Sequence, residues 1–148
     1  IRPKLPFSMT QEPILLIEDD SDDKELLEMA LQDLGVTNPL IWFSNCAKAL
    51  EHMKTTTQQP FLILSDVNLP GMSGIEFKKL IDDHPELHRK CIPFVLYSTS
   101  VDKKTVEEAY TKMTVQGFFK KSSGYEEIKH TIRVIYDYWK ICQHPNSC

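Results

Sequence analysis

The chain has 148 residues, of which 41% are hydrophobic and 26% charged, a composition that fits one globular domain with its own core. Its formal net charge is −4, which argues against nonspecific binding to nucleic acid or to a membrane surface. Apolar runs of about five residues are also far too short for a membrane span, which needs roughly 20.

The first residues of the chain indicate where the domain begins, and the cysteines indicate the cellular compartment. Residues 1–8 lack the apolar stretch of a signal peptide, and we interpret them as an N-terminal extension before a single domain over residues 9–148. The cysteines at positions 46, 91, 142 and 148 show no Cys-x-x-Cys spacing, so a zinc or redox site is not expected. Scattered thiols without a disulfide pattern predict a cytoplasmic protein.

Short apolar runs alternate with helical patterns along the chain. The first strand is predicted at Ile14–Ile17, and leucines spaced three to four residues apart predict a helix over residues 22–34. A second strand follows at residues 40–43, and Asn45 is suited to cap the next helix. The later elements are strands at 61–65, 94–97 and 117–119, a turn-rich segment at 69–74, and helices over 75–81, around 106–113 and over 128–139.

This order is a β-α unit repeated five times. Strands 1, 3 and 4 are almost continuously apolar, as expected when helices cover both faces of a sheet. Right-handed crossovers then predict a doubly wound five-stranded parallel sheet, in the α/β class. Such sheets bind ligands beyond the carboxyl ends of their strands.

Polar residues collect at those predicted strand ends. Neighbouring strands lie roughly 4.8 Å apart, so side chains that follow different strands can share one small volume. Each residue alone has an ordinary explanation as a solvated loop, a strand stop or a surface lysine, and only their joint appearance indicates a site. They are Glu18, Asp19 and Asp20 after strand 1, Asp66 and Asn68 after strand 3, Ser98 ending strand 4, and Lys120 and Lys121 after strand 5.

The residue types suit phosphoryl chemistry. Clustered carboxylates repel one another unless a cation relieves them, and hard oxygen ligands favour Mg²⁺. Beside such a cation an aspartate can act as a nucleophile and form an aspartyl-phosphate. A hydroxyl and an ammonium can then stabilise the phosphoryl oxygens.

Four segments make the chain resemble the receiver domains of two-component response regulators. The resemblance extends over residues 13–139 and implies a flavodoxin-like strand order 2-1-3-4-5. The segments are Ile14-Leu15-Leu16-Ile17-Glu18-Asp19-Asp20-Ser21-Asp22-Asp23, Ser65-Asp66-Val67-Asn68-Leu69-Pro70-Gly71-Met72-Ser73-Gly74, Ile92-Pro93-Phe94-Val95-Leu96-Tyr97-Ser98-Thr99-Ser100 and Gly117-Phe118-Phe119-Lys120-Lys121.

The resemblance implies a role for each site residue. Asp66 would be the phosphoacceptor, and Mg²⁺, which Mn²⁺ can replace, would be held by four residues. Ser98 would follow the phosphoryl group when the domain switches, Lys121 would pair with a phosphoryl oxygen, and Phe118 would be the switch aromatic. The metal ligands would be Asp19 and Asp66 directly, Asn68 through its backbone carbonyl, and Glu18 through water.

Three residues depart from the family pattern. Ser122 stands where the family usually has proline, and a cis bond before a residue other than proline costs about 3 kcal/mol, which speaks against the family's cis peptide here. Phe118 replaces the commoner tyrosine and lacks its hydroxyl, whereas Ser98 replaces the commoner threonine and keeps the hydroxyl. We expect the phosphoryl chemistry to survive all three.

The implied function is a signalling module rather than an enzyme, since it would catalyse only its own phosphorylation and dephosphorylation. The implied partners are a sensor histidine kinase or phosphotransfer protein and a downstream protein target, with no direct nucleic-acid or membrane binding. The family's fourth helix, fifth strand and fifth helix would report the state, here residues 103–113, Phe118 and residues 125–139, with Tyr138 and Trp139 as candidate surface residues. The sequence leaves homodimerisation open.

Two other functions remain open at this point. An aspartyl-phosphate hydrolase of small phosphoesters would share the nucleophile and the metal. That class usually has a second aspartate two residues after the nucleophile, where this chain has Asn68. A receiver-fold adaptor that works without phosphorylation would not need the complete set of site residues that the sequence contains.

Overall fold

The computed structural model describes residues 12–99, 102–112 and 115–142. Its strands and helices alternate along the chain, apart from two consecutive helices between the third and fourth strands. The strands are β1 (Ile14–Ile17), β2 (Leu40–Phe43), β3 (Leu62–Ser65), β4 (Phe94–Ser98) and β5 (Gly117–Lys120). The helices are α1 (Ser21–Asp33), α2 (Cys46–Thr55), α3 (Gly74–Asp83), α4 (Pro85–Arg89), α5 (Lys103–Lys112) and α6 (Tyr125–Ile141).

The strands form one parallel sheet in the order β2-β1-β3-β4-β5, which confirms the predicted doubly wound fold. Alternate residues of each strand supply two apolar cores, because successive side chains point to opposite faces. Leu15 and Ile17 pack with α2 to α5 on one face, whereas Ile14 and Leu16 pack with α1 and α6 on the other. In the part of the chain that the structure describes, no helix is both long and apolar enough to cross a membrane.

Polar side chains fix where three helices begin. Asp20 accepts hydrogen bonds from the backbone N–H groups of Asp22 and Asp23 at the start of α1, and Asn45 caps α2 as predicted. Ser73 and Glu76 form a reciprocal capping box at the start of α3. Since α1 and α3 begin just beyond β1 and β3, these caps set the ends of the loops that carry Asp19 and Asp66.

Besides small shifts of element ends, the described part of the chain has one helix that the sequence did not predict. The helix α4 is only 5 residues long and starts at Pro85. His84 is its N-cap, and the His84 ring accepts a hydrogen bond from the Leu87 N–H. It has too few turns for a helical period to appear in the sequence. Among the predicted features, residues 1–8, Ser100, Met113 and Cys148 lie outside the described residues.

Cys46 is expected to be inert toward thiol reagents in the folded protein. It is buried, and burial, together with the nearby Glu76, raises the pKa of its thiol to about 12. A thiol with a raised pKa is almost fully protonated at pH 8, and only the thiolate reacts. Mass mapping after a short exposure to iodoacetamide should find the exposed Cys91 modified and Cys46 unmodified until urea is added. Equal labelling of both before denaturation would contradict this.

Candidate functional site

The carboxyl ends of the strands bring the predicted polar residues together at one edge of the sheet. Glu18 directly follows β1 and Asp66 directly follows β3, and these two strands are hydrogen-bonded neighbours with Ile17 opposite Ser65. The Asp66 N–H donates to the carbonyl of Ile17 at 3.0 Å, which ties the two strand ends together. Both carboxylates are buried, with residue exposures of 3% for Glu18 and 8% for Asp66. Buried acids this close need a compensating cation.

Lys121 supplies that cation. Its Nζ donates to a carboxylate oxygen of Glu18, to Asp23 Oδ2 at 2.9 Å and to Asp66 Oδ2 at 3.1 Å. The Lys121 N–H also donates to the carbonyl of Ser98 at 2.8 Å, which anchors the residue beside β4. Lys121 therefore joins the ends of β1 and β3 to the segment after β5, whereas the neighbouring Lys120 is exposed.

Burial and hydrogen bonding shift the pKa values of Glu18 and Lys121. Burial raises the pKa of the Glu18 carboxyl above its ordinary value, and the hydrogen bond from Lys121 only partly offsets that effect. Burial alone would lower the pKa of the Lys121 ammonium, but its hydrogen bonds to Glu18 and Asp23 outweigh burial and raise it. Lys121 is thus held as a cation at neutral pH.

The acidic cluster has the donor set of a hard divalent cation. Glu18, Asp19 and Asp66 each offer one carboxylate oxygen, and the three oxygens lie within 4.8 Å of one another. Asp19 is exposed whereas the other two are buried, so the cluster opens to solvent on one side. Oxygen-only donors with an open side fit Mg²⁺ or Mn²⁺, which keep several waters when bound to protein.

Two further predicted residues lie at the same edge of the sheet. Asn68 is exposed, and its backbone N–H donates to Asp66 Oδ1 at 3.2 Å, so the loop after β3 orients the carboxylate. Ser98 ends β4, the strand next to β3. Its hydroxyl is fully buried and has no hydrogen-bond partner within the described residues. An unpaired buried hydroxyl costs about 1–3 kcal/mol, which marks a place where an acceptor would be gained.

The predicted switch aromatic and the predicted surface aromatics lie on β5 and α6. Phe118 is half-buried and packs against the core that also holds α5, while Phe119 packs on the opposite face of the sheet. The Lys121–Ser122 peptide bond is trans, as are all peptide bonds in the described part. On α6, Tyr138 is exposed and Trp139 is half-buried, their rings 4.9 Å apart.

Two residues of the site were not identified from the sequence. Asp23 contacts Lys121, and the indole N–H of Trp42 donates to the Glu18 carbonyl at 2.6 Å. A signal for Asp23 existed, since it precedes Leu27 and Leu31 at four-residue spacing and so extends the buried face of α1 toward the strand ends. No comparable pattern distinguishes Trp42 from a core tryptophan.

Gly74 lets α3 start against the backbone of the site. A Cβ on Gly74 would lie 2.1 Å from the carbonyl oxygen of Asp66 and 3.0 Å from Ser65 Oγ. Because the first of these is a main-chain atom, either the β3 end or the start of α3 must move. The Gly74 N–H also donates to the carbonyl of Val67 at 2.9 Å, so the helix cannot move away without losing that bond.

Gly74→Ala is therefore expected to lower the free energy of unfolding by about 3 kcal/mol, as overpacking against a fixed backbone does. Urea denaturation measures this, with Gly124→Ala as the matched control at the start of α6. Among the described residues, a Cβ on Gly124 meets only the carboxyl end of the flexible Glu127 side chain, whose nearest oxygen lies 3.1 Å away. A Gly74→Ala protein as stable as the Gly124→Ala protein would refute the clash.

Comparisons with known proteins agree with this geometry. The family model for the response regulator receiver domain matches residues 14–133. The Probable methanogenesis regulatory protein FilR2 of Methanothrix harundinacea (strain 6Ac) is 28% identical over 130 residues, covering 85% of this chain and 82% of that protein. Response regulator Rcp1 of Synechocystis sp. (strain ATCC 27184 / PCC 6803 / Kazusa) is 28% identical over 131 residues, with 85% and 87% covered.

Solved structures show the same similarity. The Mn²⁺-bound form of Rcp1 superposes with a TM-score of 0.79 at 27% identity, covering 90% of this chain and 99% of that one. The phosphorylated cyanobacterial phytochrome response regulator RcpA gives a TM-score of 0.81 at 26% identity, with 91% and 99% covered.

Proposed function

The chain belongs to the response regulator receiver family, and on that premise we propose that it accepts a phosphoryl group on Asp66 and thereby changes its binding to a downstream protein. Receiver domains receive signals from histidine kinases or phosphotransfer proteins and pass them to target proteins. The observation that carries the proposal is the contact of the Lys121 ammonium with both Glu18 and Asp66, which joins three strand ends around one carboxylate.

Glu18, Asp19 and Asp66 would hold a divalent cation, Mg²⁺ or Mn²⁺, with Glu18 acting through water and the Asn68 carbonyl as a further ligand. When bound, the cation would neutralise charge on the phosphoryl oxygens. Support comes from the three carboxylate oxygens within 4.8 Å of one another. Among the relatives, Rcp1 has been crystallised with Mn²⁺.

The covalent step would use the chain's own groups. An oxygen of the Asp66 carboxylate attacks phosphorus, the new O–P bond forms, and the bond between phosphorus and the donor's histidine nitrogen breaks. That nitrogen keeps the electron pair and takes a proton from solvent as required. The Lys121 ammonium would donate to one phosphoryl oxygen and stabilise the charge that gathers there.

Ser98 and Phe118 would report the phosphorylated state. The buried Ser98 hydroxyl has no partner within the described residues, so a phosphoryl oxygen on the neighbouring strand would give it an acceptor. A shift of β4 toward Asp66 would change the space open to Phe118 on β5. The surface of α5, β5 and α6 would then change its binding to the target, either as a monomer or as a homodimer.

We place a single receiver domain over residues 9–148, with residues 1–8 as an extension, in the cytoplasm. We propose no substrate other than the phosphodonor, no direct nucleic-acid binding and no membrane binding. The protein would catalyse only its own phosphorylation and dephosphorylation.

Incubation with acetyl phosphate tests the function. In the presence of Mg²⁺, intact-protein mass spectrometry should find one added phosphoryl group per chain, and EDTA should prevent it. Absence of label with Mg²⁺ present would favour an adaptor that works without phosphorylation. Repeated turnover of a generic phosphoester would instead support the hydrolase hypothesis. Asn68 argues against that hypothesis, because an asparagine cannot serve as the general acid/base.

A further inference from the structure

Asp23 is the third partner of Lys121 and the one that the family pattern did not assign. A lysine ammonium has three protons to donate, and here they are shared among Glu18, Asp23 and Asp66. The contact with Asp23 Oδ2, at 2.9 Å, is shorter than the contact with Asp66. Asp23 is therefore a full partner of the lysine and not a peripheral one.

The three partners differ in what else they do. Glu18 and Asp66 also belong to the group of three oxygens that fits a divalent cation, whereas Asp23 does not. Asp23 lies on a different element, the first turn of α1, where its N–H donates to Asp20 Oδ1 at 3.2 Å. Its side chain is also more exposed, at 34% compared with 4% for Glu18 and 10% for Asp66.

We propose that Asp23 is a positioning residue that keeps Lys121 beside Asp66 when a divalent cation shares the other carboxylates. The inference rests on the proposed function. A cation held by Glu18 and Asp66 would draw on two of the three anions that neutralise Lys121, and it would repel the ammonium. The negative charge of Asp23 offsets the repulsion between the ammonium and the cation, while Asp23 itself is not a metal ligand. The site can therefore hold Lys121 and a metal ion together.

Asp23→Asn is accordingly expected to weaken Mg²⁺ binding, measured by isothermal titration calorimetry, by about threefold to tenfold, the effect of removing one charge a few ångströms away in partly buried surroundings. Asp22→Asn is the matched control, since it removes the same charge from the same helix turn at an exposed position. We expect it to change the dissociation constant by less than about twofold, because exposed charges are screened.

Asp23→Glu should restore most of the affinity, because a cavity of about 40 Å³ bordered by Asp23, Tyr97 and Lys121 gives room for one more methylene. A protein in which Asp23→Asn binds Mg²⁺ like Asp22→Asn would overturn the inference, as would Asp23→Glu binding as weakly as Asp23→Asn. Failure of the proposed function itself looks different: the unmodified protein would then neither bind Mg²⁺ in this range nor take label from acetyl phosphate, and both proposals would fall.

Discussion

Asp66→Asn is expected to abolish Mg²⁺-dependent labelling by acetyl phosphate while leaving the protein folded. The amide is close in shape to the carboxylate and keeps an oxygen that can accept from the Asn68 N–H, which now donates to Asp66 Oδ1 at 3.2 Å. An amide oxygen is a poor nucleophile, so the O–P bond cannot form at a useful rate. Label should fall to the level seen with EDTA, whereas the urea midpoint should stay near that of the unmodified protein.

The matched control is Asp83→Asn, which removes one carboxylate from an exposed position at the end of α3. It should label as the unmodified protein does. Full labelling of the Asp66→Asn protein would remove Asp66 as the phosphoacceptor, and Asp19, the exposed carboxylate of the cluster, would be the next residue to test.

Lys121→Met is expected to destabilise the metal-free protein by about 3 kcal/mol at neutral pH, which is typical when one partner of a buried ion pair is lost. Methionine fills most of the space of the lysine stem but removes the cation that contacts Glu18 and Asp66 in the described part of the chain. The side chains of all three residues are at most 10% exposed, so water can replace little of the lost interaction.

The same substitution should tighten Mg²⁺ binding, because no ammonium then competes with the metal for Glu18 and Asp66. Urea denaturation with and without Mg²⁺ measures both effects, and the stabilisation by Mg²⁺ should be larger in Lys121→Met than in the unmodified protein. Lys120→Met is the control, since the neighbouring lysine is exposed and should cost less than about 0.5 kcal/mol. Equal Mg²⁺ stabilisation in all three proteins would contradict competition between lysine and metal.

The strands were predictable from the sequence because their sheet is covered on both faces. Burial on both faces makes the runs Ile14–Ile17 and Leu62–Ser65 nearly continuous in hydrophobicity, and the structure has the first with the predicted bounds and the second one residue shorter. The capping box of Ser73 and Glu76 could also have been predicted from its Ser-x-x-Glu pattern before an apolar run, but it is absent from the sequence predictions.

Contacts between distant residues were harder to anticipate. The Lys121–Asp23 contact joins residues 98 positions apart, and its formation depends on where α1 docks on the sheet. Sequence spacing could show that Asp23 extends the buried face of α1, yet not which cation would meet it. That the Ser98 hydroxyl has no hydrogen-bond partner among the described residues is likewise a property of the packed structure and has no counterpart in the sequence.

The hydrogen bond from Trp42 to the Glu18 carbonyl gives the protein an intrinsic optical reporter. Trp42 is 37% exposed as a residue. Its indole lies under the Lys24 ammonium, with the nitrogen 5.3 Å from the ring centroid, and donates a hydrogen bond to the main chain of a candidate metal ligand. Its emission should therefore respond to ligands at Glu18, whereas Trp139, the other tryptophan, lies on α6. Comparison with Trp42→Phe would assign the signal, so that occupancy could be followed by fluorescence without a label.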